Sequence, residues 1–231
     1  SITGVVDNDN WNNTIGDKIR NLYADEYEGL PQIEERFTLK QMPYEAFSGF
    51  SRSSRNIIFI NKKSNPEFFF EVDKYARPQI YLEIKGNSIK SLLDQIDKSK
   101  KEAINKFTNG EIEENKKRIL KSPLKDTSAM EDFLIDVKMP SAYSLYKQDK
   151  NFIWYQKQIQ KGHSNIIVTQ LPSQKNIFDY NIPSVIKLRD SIGEVFLPGR
   201  NPESFMISEK EYLPYQKKVN YYGIKMLESR G

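Results

Sequence analysis

With 231 residues, 35 of them basic and 31 acidic, the chain is long enough for one large core or two modest ones, and its net charge of +4 is a small difference between large numbers. The absence of cysteine excludes disulfides, thiol catalysis and thiolate zinc sites, and a single histidine, His163, excludes paired-histidine metal sites. No apolar run reaches bilayer length, and the basic residues Lys98, Lys100, Lys101 and Lys116, Lys117, Arg118 sit beside acids in helical patterns, as solvated faces do; no nucleic-acid partner is expected.

In chain order, Ile2 to Asp7 reads as a strand. Asp9 or Asn10 then offers a cap to a helix with Trp11, Ile15, Ile19, Leu22 and Tyr23 on one face. Gly29-Leu30-Pro31 ends that unit and leads to a strand at Phe37, then one from Ile57 that Asn65-Pro66 breaks. From Pro78 to Lys85 the alternation is clean, with Ile80, Leu82 and Ile84 opposing Tyr81, Glu83 and Lys85. Gly86-Asn87-Ser88 starts a long helix whose stripe is Ile89, Leu92, Leu93, Ile96, Ala103 and Phe107, and Asn109-Gly110 is expected to stop or kink it before Ile112 to Leu120.

Residues 122–132 carry little that is apolar and read as a linker between domains at 1–121 and 133–231. Beyond it, Phe133, Ile135, Val137 and Met139 alternate like a strand. Phe152–Ile159 and Asn165–Leu171 form an expected hairpin with His163 at its tip. A helix follows from Ile182 with Pro183 in its first turn, and a final strand spans Val219 to Glu228. The two halves share a layout: strand, Met42-Pro43 or Met139-Pro140, an Ala-aromatic-Ser loop, then a basic-Asn pair and a strand. The expected fold is therefore α+β: two tandem, duplicated domains, each an antiparallel sheet with a helix on one face.

Chemistry is sparse. Asp7-Asn8-Asp9-Asn10 could hold a metal between strand and helix, but Trp11 occupies the position of a needed oxygen ligand, so capping is expected instead. Ser144-x-x-Lys147 matches the spacing of some serine acyltransferases without their companion motifs. The loop from Ser48 to Arg55 combines hydroxyls, Gly49 and two guanidinium groups, as an anion site would. The ligand-binding candidates are Arg52 and Arg55 in the first half and Tyr143 and Tyr146 in the second, because these loops follow the two Met-Pro turns. The 13 tyrosines suit glycan stacking or protein interfaces. No catalytic residue, metal ligand or cofactor is assigned.

Taken together, Asp7 to Trp11, Gly29-Leu30-Pro31-Gln32, Met42 to Phe50, Arg77-Pro78-Gln79, Pro140-Ser141-Ala142-Tyr143 and Ile186 to Gly193 resemble a domain-of-unknown-function family of predicted Bacteroidetes lipoproteins. The resemblance covers essentially the whole chain. It implies an exported protein, on the periplasmic side or surface of the outer membrane, held by a lipid anchor upstream of Ser1, with a natural chain continuing past Gly231. It transfers no activity and no site. The second half faintly resembles PsbP/Mog1-like α+β domains, which are mostly binding or assembly factors. The expected role is non-catalytic binding or assembly in the cell envelope, with an envelope protein or glycan as partner. The alternative is a glycan- or ester-processing hydrolase of the periplasm.

Overall fold

The computed structural model describes residues 1–171, 176–221 and 223–231. By contact the chain divides into two units, one of Ser1–Tyr27 and Ile33–Asn115, the other of Glu28–Gln32 and Lys116–Gly231.

In the first unit β1 (Ile2–Val5) leads through α1 (Asn8–Trp11) and α2 (Thr14–Tyr23) to β2 (Leu39–Met42). Then come β3 (Asn56–Lys62), β4 (Glu67–Val72), β5 (Ile80–Gly86) and α3 (Ile89–Lys121). The sheet order is β2-β1-β3-β5-β4, with β1, β2, β3 and β5 mutually parallel and β4 alone antiparallel. The expected antiparallel sheet is thus corrected for this half. Each parallel connection is a crossover, and crossovers are right-handed. The β1–β2 link steps one way across the sheet and the β2–β3 link steps back, so the two lie on opposite faces. The side chains follow. Ile58, Ile60, Leu82 and Ile84 face Ile15, Ile19, Tyr23, Leu92, Ile96 and Phe107 of the helices. Val5, Ile57 and Tyr81 face Phe47 of the β2–β3 loop.

Helix α3 runs unbroken through Asn109-Gly110, which corrects the expected stop. A Cβ at Gly110 would come within 2.9 Å of Ile80 Cδ1, so the glycine serves close helix–sheet packing rather than termination. The helix stripe is buried from Leu92 to Phe107.

In the second unit α4 (Ser128–Glu131) precedes β6 (Ser144–Asp149), β7 (Phe152–Ile159) and β8 (Gly162–Thr169) in one antiparallel sheet, followed by α5 (Ile182–Phe196) and the hairpin β9 (Tyr215–Tyr221) and β10 (Ile224–Arg230). Residues 122–132 are not a spacer, because Ala129 and Met130 are buried in the core with Tyr143, Ile153 and Tyr155. No strand forms at Phe133 to Met139: Leu134 turns at φ 55, so the alternating apolar residues are met by a coil in which Phe133 and Met139 are buried. The Val219–Glu228 strand is two strands turning at Gly223, whose φ of 85 favours glycine. Tyr222, counted within that strand, lies outside the described residues.

The mixed α and β content and the tandem arrangement stand, but the duplication does not. Met42-Pro43 ends a parallel edge strand, whereas Met139-Pro140 makes an isolated bridge to Pro123.

Candidate functional site

The β2–β3 loop carries Arg52 and Arg55. It is built by two 3₁₀ turns, Tyr44–Ala46 and Gly49–Ser53, with Ser48 and Ser51 bonding each other's backbone. Buried Gln79 ties the loop down, its Nε2 donating to Arg52 O at 2.7 Å and Ser54 O at 2.8 Å. The Arg52 guanidinium lies over Tyr75 (5.1 Å) and Phe47 (5.5 Å), and its Nε donates to Phe47 O. Arg55 Nη1 reaches Glu111 Oε2 at 3.0 Å, while Glu111 Oε1 accepts from Asn56 Nδ2 at 2.7 Å. Both guanidinium groups are therefore engaged by the protein itself. They also sit toward the amino ends of the parallel strands, since Asn56 opens β3 and Gln79 precedes β5, whereas ligands of such sheets bind outside the carboxyl ends. Phe50, 92% exposed, is the loop's free apolar group.

At the carboxyl ends stands the Asp7 motif. The cap of α1 is Asp7, not Asp9 or Asn10: its carboxylate accepts from Asn10 N (3.0 Å) and Asn10 Nδ2 (2.8 and 2.9 Å), and Lys62 Nζ lies 2.6 Å away. Partial burial opposes ionisation, but the Lys62 and Asn10 donors outweigh it and hold the group down at about 2. Gln41 Nε2 bonds Val6 O and Asn8 Oδ1, locking the neighbouring turn. Among the described residues no group of three His, Cys, Asp or Glu gathers as a metal site.

On the loop-covered face, buried Glu83 accepts from Asn61 Nδ2 at 2.8 Å and Tyr81 OH at 3.2 Å, with Lys74 Nζ at 3.8 Å. Burial, followed by the adjacent Glu83 charge, pushes the Tyr81 phenol far above its ordinary range. This carboxylate is matched to its surroundings by three donors.

The second unit separates its two tyrosines. Tyr143 is a core side chain whose hydroxyl meets Ser164 Oγ at 2.8 Å. Tyr146 is 61% exposed and is the extra residue of a β-bulge, since Leu145 pairs with Tyr155 and Lys147 with Trp154. A bulge re-aims a side chain, and here the ring meets Trp154 at 4.5 Å between centroids, tilted by 57°. Trp154 is fixed in turn: its Nε1 donates to Asn165 Oδ1 at 2.9 Å, an oxygen shared with Gln156 Nε2 at 3.1 Å. Phe196 of α5 stacks on Phe152 of the same sheet, at 4.2 Å and 5°. Tyr146, half-buried Trp154 and partly exposed Ile167 make an aromatic step with carboxamides along its edge.

His163 is not at a hairpin tip but in β8 opposite Gln158, because the turn is tighter than expected and Gly162 already belongs to the strand. Lys147 of the Ser-x-x-Lys pair donates to Phe196 O, and Ser144 Oγ points to Gln156 O, so the two serve separate backbone partners. Sequence reasoning missed Trp154, Asn165 and Lys62. The usable signal for the first two was a strand carrying Trp at a position opposite the core residues Ile153 and Tyr155.

Residues 1–120 match the domain of unknown function DUF8532, and residues 122–231 match the domain of unknown function DUF4837. The first match spans just over half the chain, which therefore belongs to the DUF8532 family. No curated protein and no solved structure matches the chain.

Proposed function

We propose that this two-domain chain is the folded part of an exported cell-envelope lipoprotein of Bacteroidetes type, acting in non-catalytic binding or assembly, with a glycan as its first-choice partner. The carrying observation is the Tyr146–Trp154 step on the sheet face opposite Ile153 and Tyr155. A ring face that is held rigid and half-exposed loses little entropy when a sugar ring stacks on it. The Asn165 and Gln156 carboxamides beside it can serve sugar hydroxyls.

The state of the acidic groups supports binding over hydrolysis. A glycosidase needs one carboxyl that gives up a proton near neutral pH. Asp7, on the ligand-prone edge, is held ionised to about pH 2 by its donors. Export and anchoring rest on the family resemblance. No helix among the described residues is long and apolar enough to cross a membrane.

The test is titration of the full chain with peptidoglycan and lipopolysaccharide-core oligosaccharides, read by Trp154 fluorescence in a Trp11→Phe background. Saturable quenching lost in Tyr146→Ala supports the reading. Release of sugar or acyl product instead would replace it with the hydrolase. Palmitate labelling of the natural gene product tests the anchor, and an unlabelled product would remove the lipoprotein assignment.

A further inference from the structure

We propose that a second site lies in the first domain: the cleft bounded by the Tyr44 and Phe59 rings and the Lys62 and Lys63 ammonium groups binds a sugar carrying a phosphate or carboxylate.

The first argument is position. The connection from β1 steps to β2 on one side, and the chain returns to β3 on the other, so the β1/β3 junction is where the winding reverses. Parallel sheets bind ligands in the crevice outside the carboxyl ends of their strands at such a junction. Lys62 is the last residue of β3, and its pair with Asp7 just past β1 bridges that junction at 2.6 Å.

Space and wall chemistry come next. Beside that junction, at the carboxyl end of β3, opens a cleft of about 420 Å³ lined by Tyr44, Phe59, Ile60, Asn61, Lys62 and Lys63. That volume falls in the small-ligand range of roughly 300–1,000 Å³. Tyr44 and Phe59 meet at 5.6 Å with planes 56° apart, and the Tyr44 hydroxyl is fixed to Ile60 O at 2.5 Å. Two immobilised rings offer stacking area for a ring-shaped body. Burial, then the nearby Asp7 charge, pushes the Tyr44 phenol up to about 12, so the wall stays neutral beside an anion.

The third argument is charge. Lys62 is satisfied by Asp7, but Lys63 has no carboxylate within ion-pair reach among the described residues. Lys63 also holds φ at 68, a left-handed conformation that costs a non-glycine residue about 1 kcal/mol or more and is concentrated at ligand sites. The cleft thus carries one unmatched positive charge beside two aromatic walls. An anionic group on a ring-bearing ligand answers both features at once.

This site goes beyond the proposed role of the second domain, and its test is separable from it. Calorimetric titration of the full chain would use glucose 6-phosphate, glucuronate, glucose and inorganic phosphate as probes. One of the two acidic sugars should bind saturably and more tightly than glucose or phosphate, and which one binds names the acidic group. Lys63→Asn removes the charge with a side chain that tolerates positive φ, and it should weaken binding about tenfold, while Lys63→Arg should retain it. Trp154→Ala should leave this binding unchanged. No binding of either acidic sugar overturns the proposal. So does equal binding of glucose or of free phosphate, or an affinity that follows Trp154 rather than Lys63.

Discussion

Replacing Glu111 by alanine should destabilise the first domain by about 2–4 kcal/mol, and the estimate can be built bond by bond. Glu111 Oε2 pairs with Arg55, both side chains about 30% exposed, which at that exposure contributes about 0.5–1 kcal/mol. Its Oε1 accepts from Nδ2 of Asn56, a residue 1% exposed whose other acceptor among the described residues is Ser1 O at 3.2 Å. A hydrogen bond to a charged group contributes about 1.5–3 kcal/mol, and losing this one strands a buried donor. Arg55→Ala removes only the ion pair and should cost about 1 kcal/mol or less. For a domain of this size 1 kcal/mol moves the melting temperature by roughly 4 °C, so the two variants should fall by about 8–16 and up to about 4 °C. Denaturant titration followed by circular dichroism, with the m-value checked for constancy, gives the free energies directly. The double variant should show coupling near the ion-pair value. If Glu111→Ala melts with the wild type, or if Arg55→Ala is as costly, Glu111 does not hold the start of β3 to α3 in the way described.

Other expectations follow from single contacts. Asp7 has a folded value of about 2 against an ordinary 3.8, so its contribution is complete above pH 4 and lost as pH falls from about 4 to 2. After screening that loss is about 1–2 kcal/mol, and Asp7→Asn should flatten this limb of a stability–pH curve. Gly193→Ala should cost 2 kcal/mol or about that, because its Cβ would sit 2.0 Å from Met206 O, a backbone atom that cannot rotate away. Near-neutral denaturation of that variant would refute the packing of α5. Tyr143→Phe should cost about 1 kcal/mol through the lost Ser164 bond, and Tyr146→Phe almost nothing, measured by thermal melts.

What could be read without coordinates was local. The Ile80, Leu82, Ile84 alternation and the Pro183 start of α5 identify their elements because period and capping act within a few residues. Glu67-Phe68-Phe69-Phe70-Glu71 has no alternation, and β4 was accordingly unexpected: Phe68 and Phe70 face the helices while Lys85 covers Phe69. Parallel pairing is a property of two distant segments, so Leu39 to Met42 looks the same whichever way its partner runs. Repeated Met-Pro words fit a sheet edge in one half and a coil bridge in the other, since a proline needs only a missing donor and a fixed φ. The Tyr146–Trp154 contact depends on a one-residue bulge, which alternation rules cannot place.

The position of β1 has a consequence for how the first domain forms. Its four residues, Ile2 to Val5, are all buried, and the strand is flanked by β2 and β3. The earliest segment of this unit to leave the ribosome is therefore an inner strand with no hairpin partner nearby. Its β3 neighbour lies more than fifty residues later, and Phe107, which closes the helical layer over it, comes later still. Loop-closure entropy must be overcome before any of these contacts form, so folding of this half is slow and late. That delay leaves Ile57-Ile58-Phe59-Ile60 exposed to other chains at high concentration. Overexpression without chaperone cover should accordingly send this domain, ahead of the antiparallel second half, into aggregates.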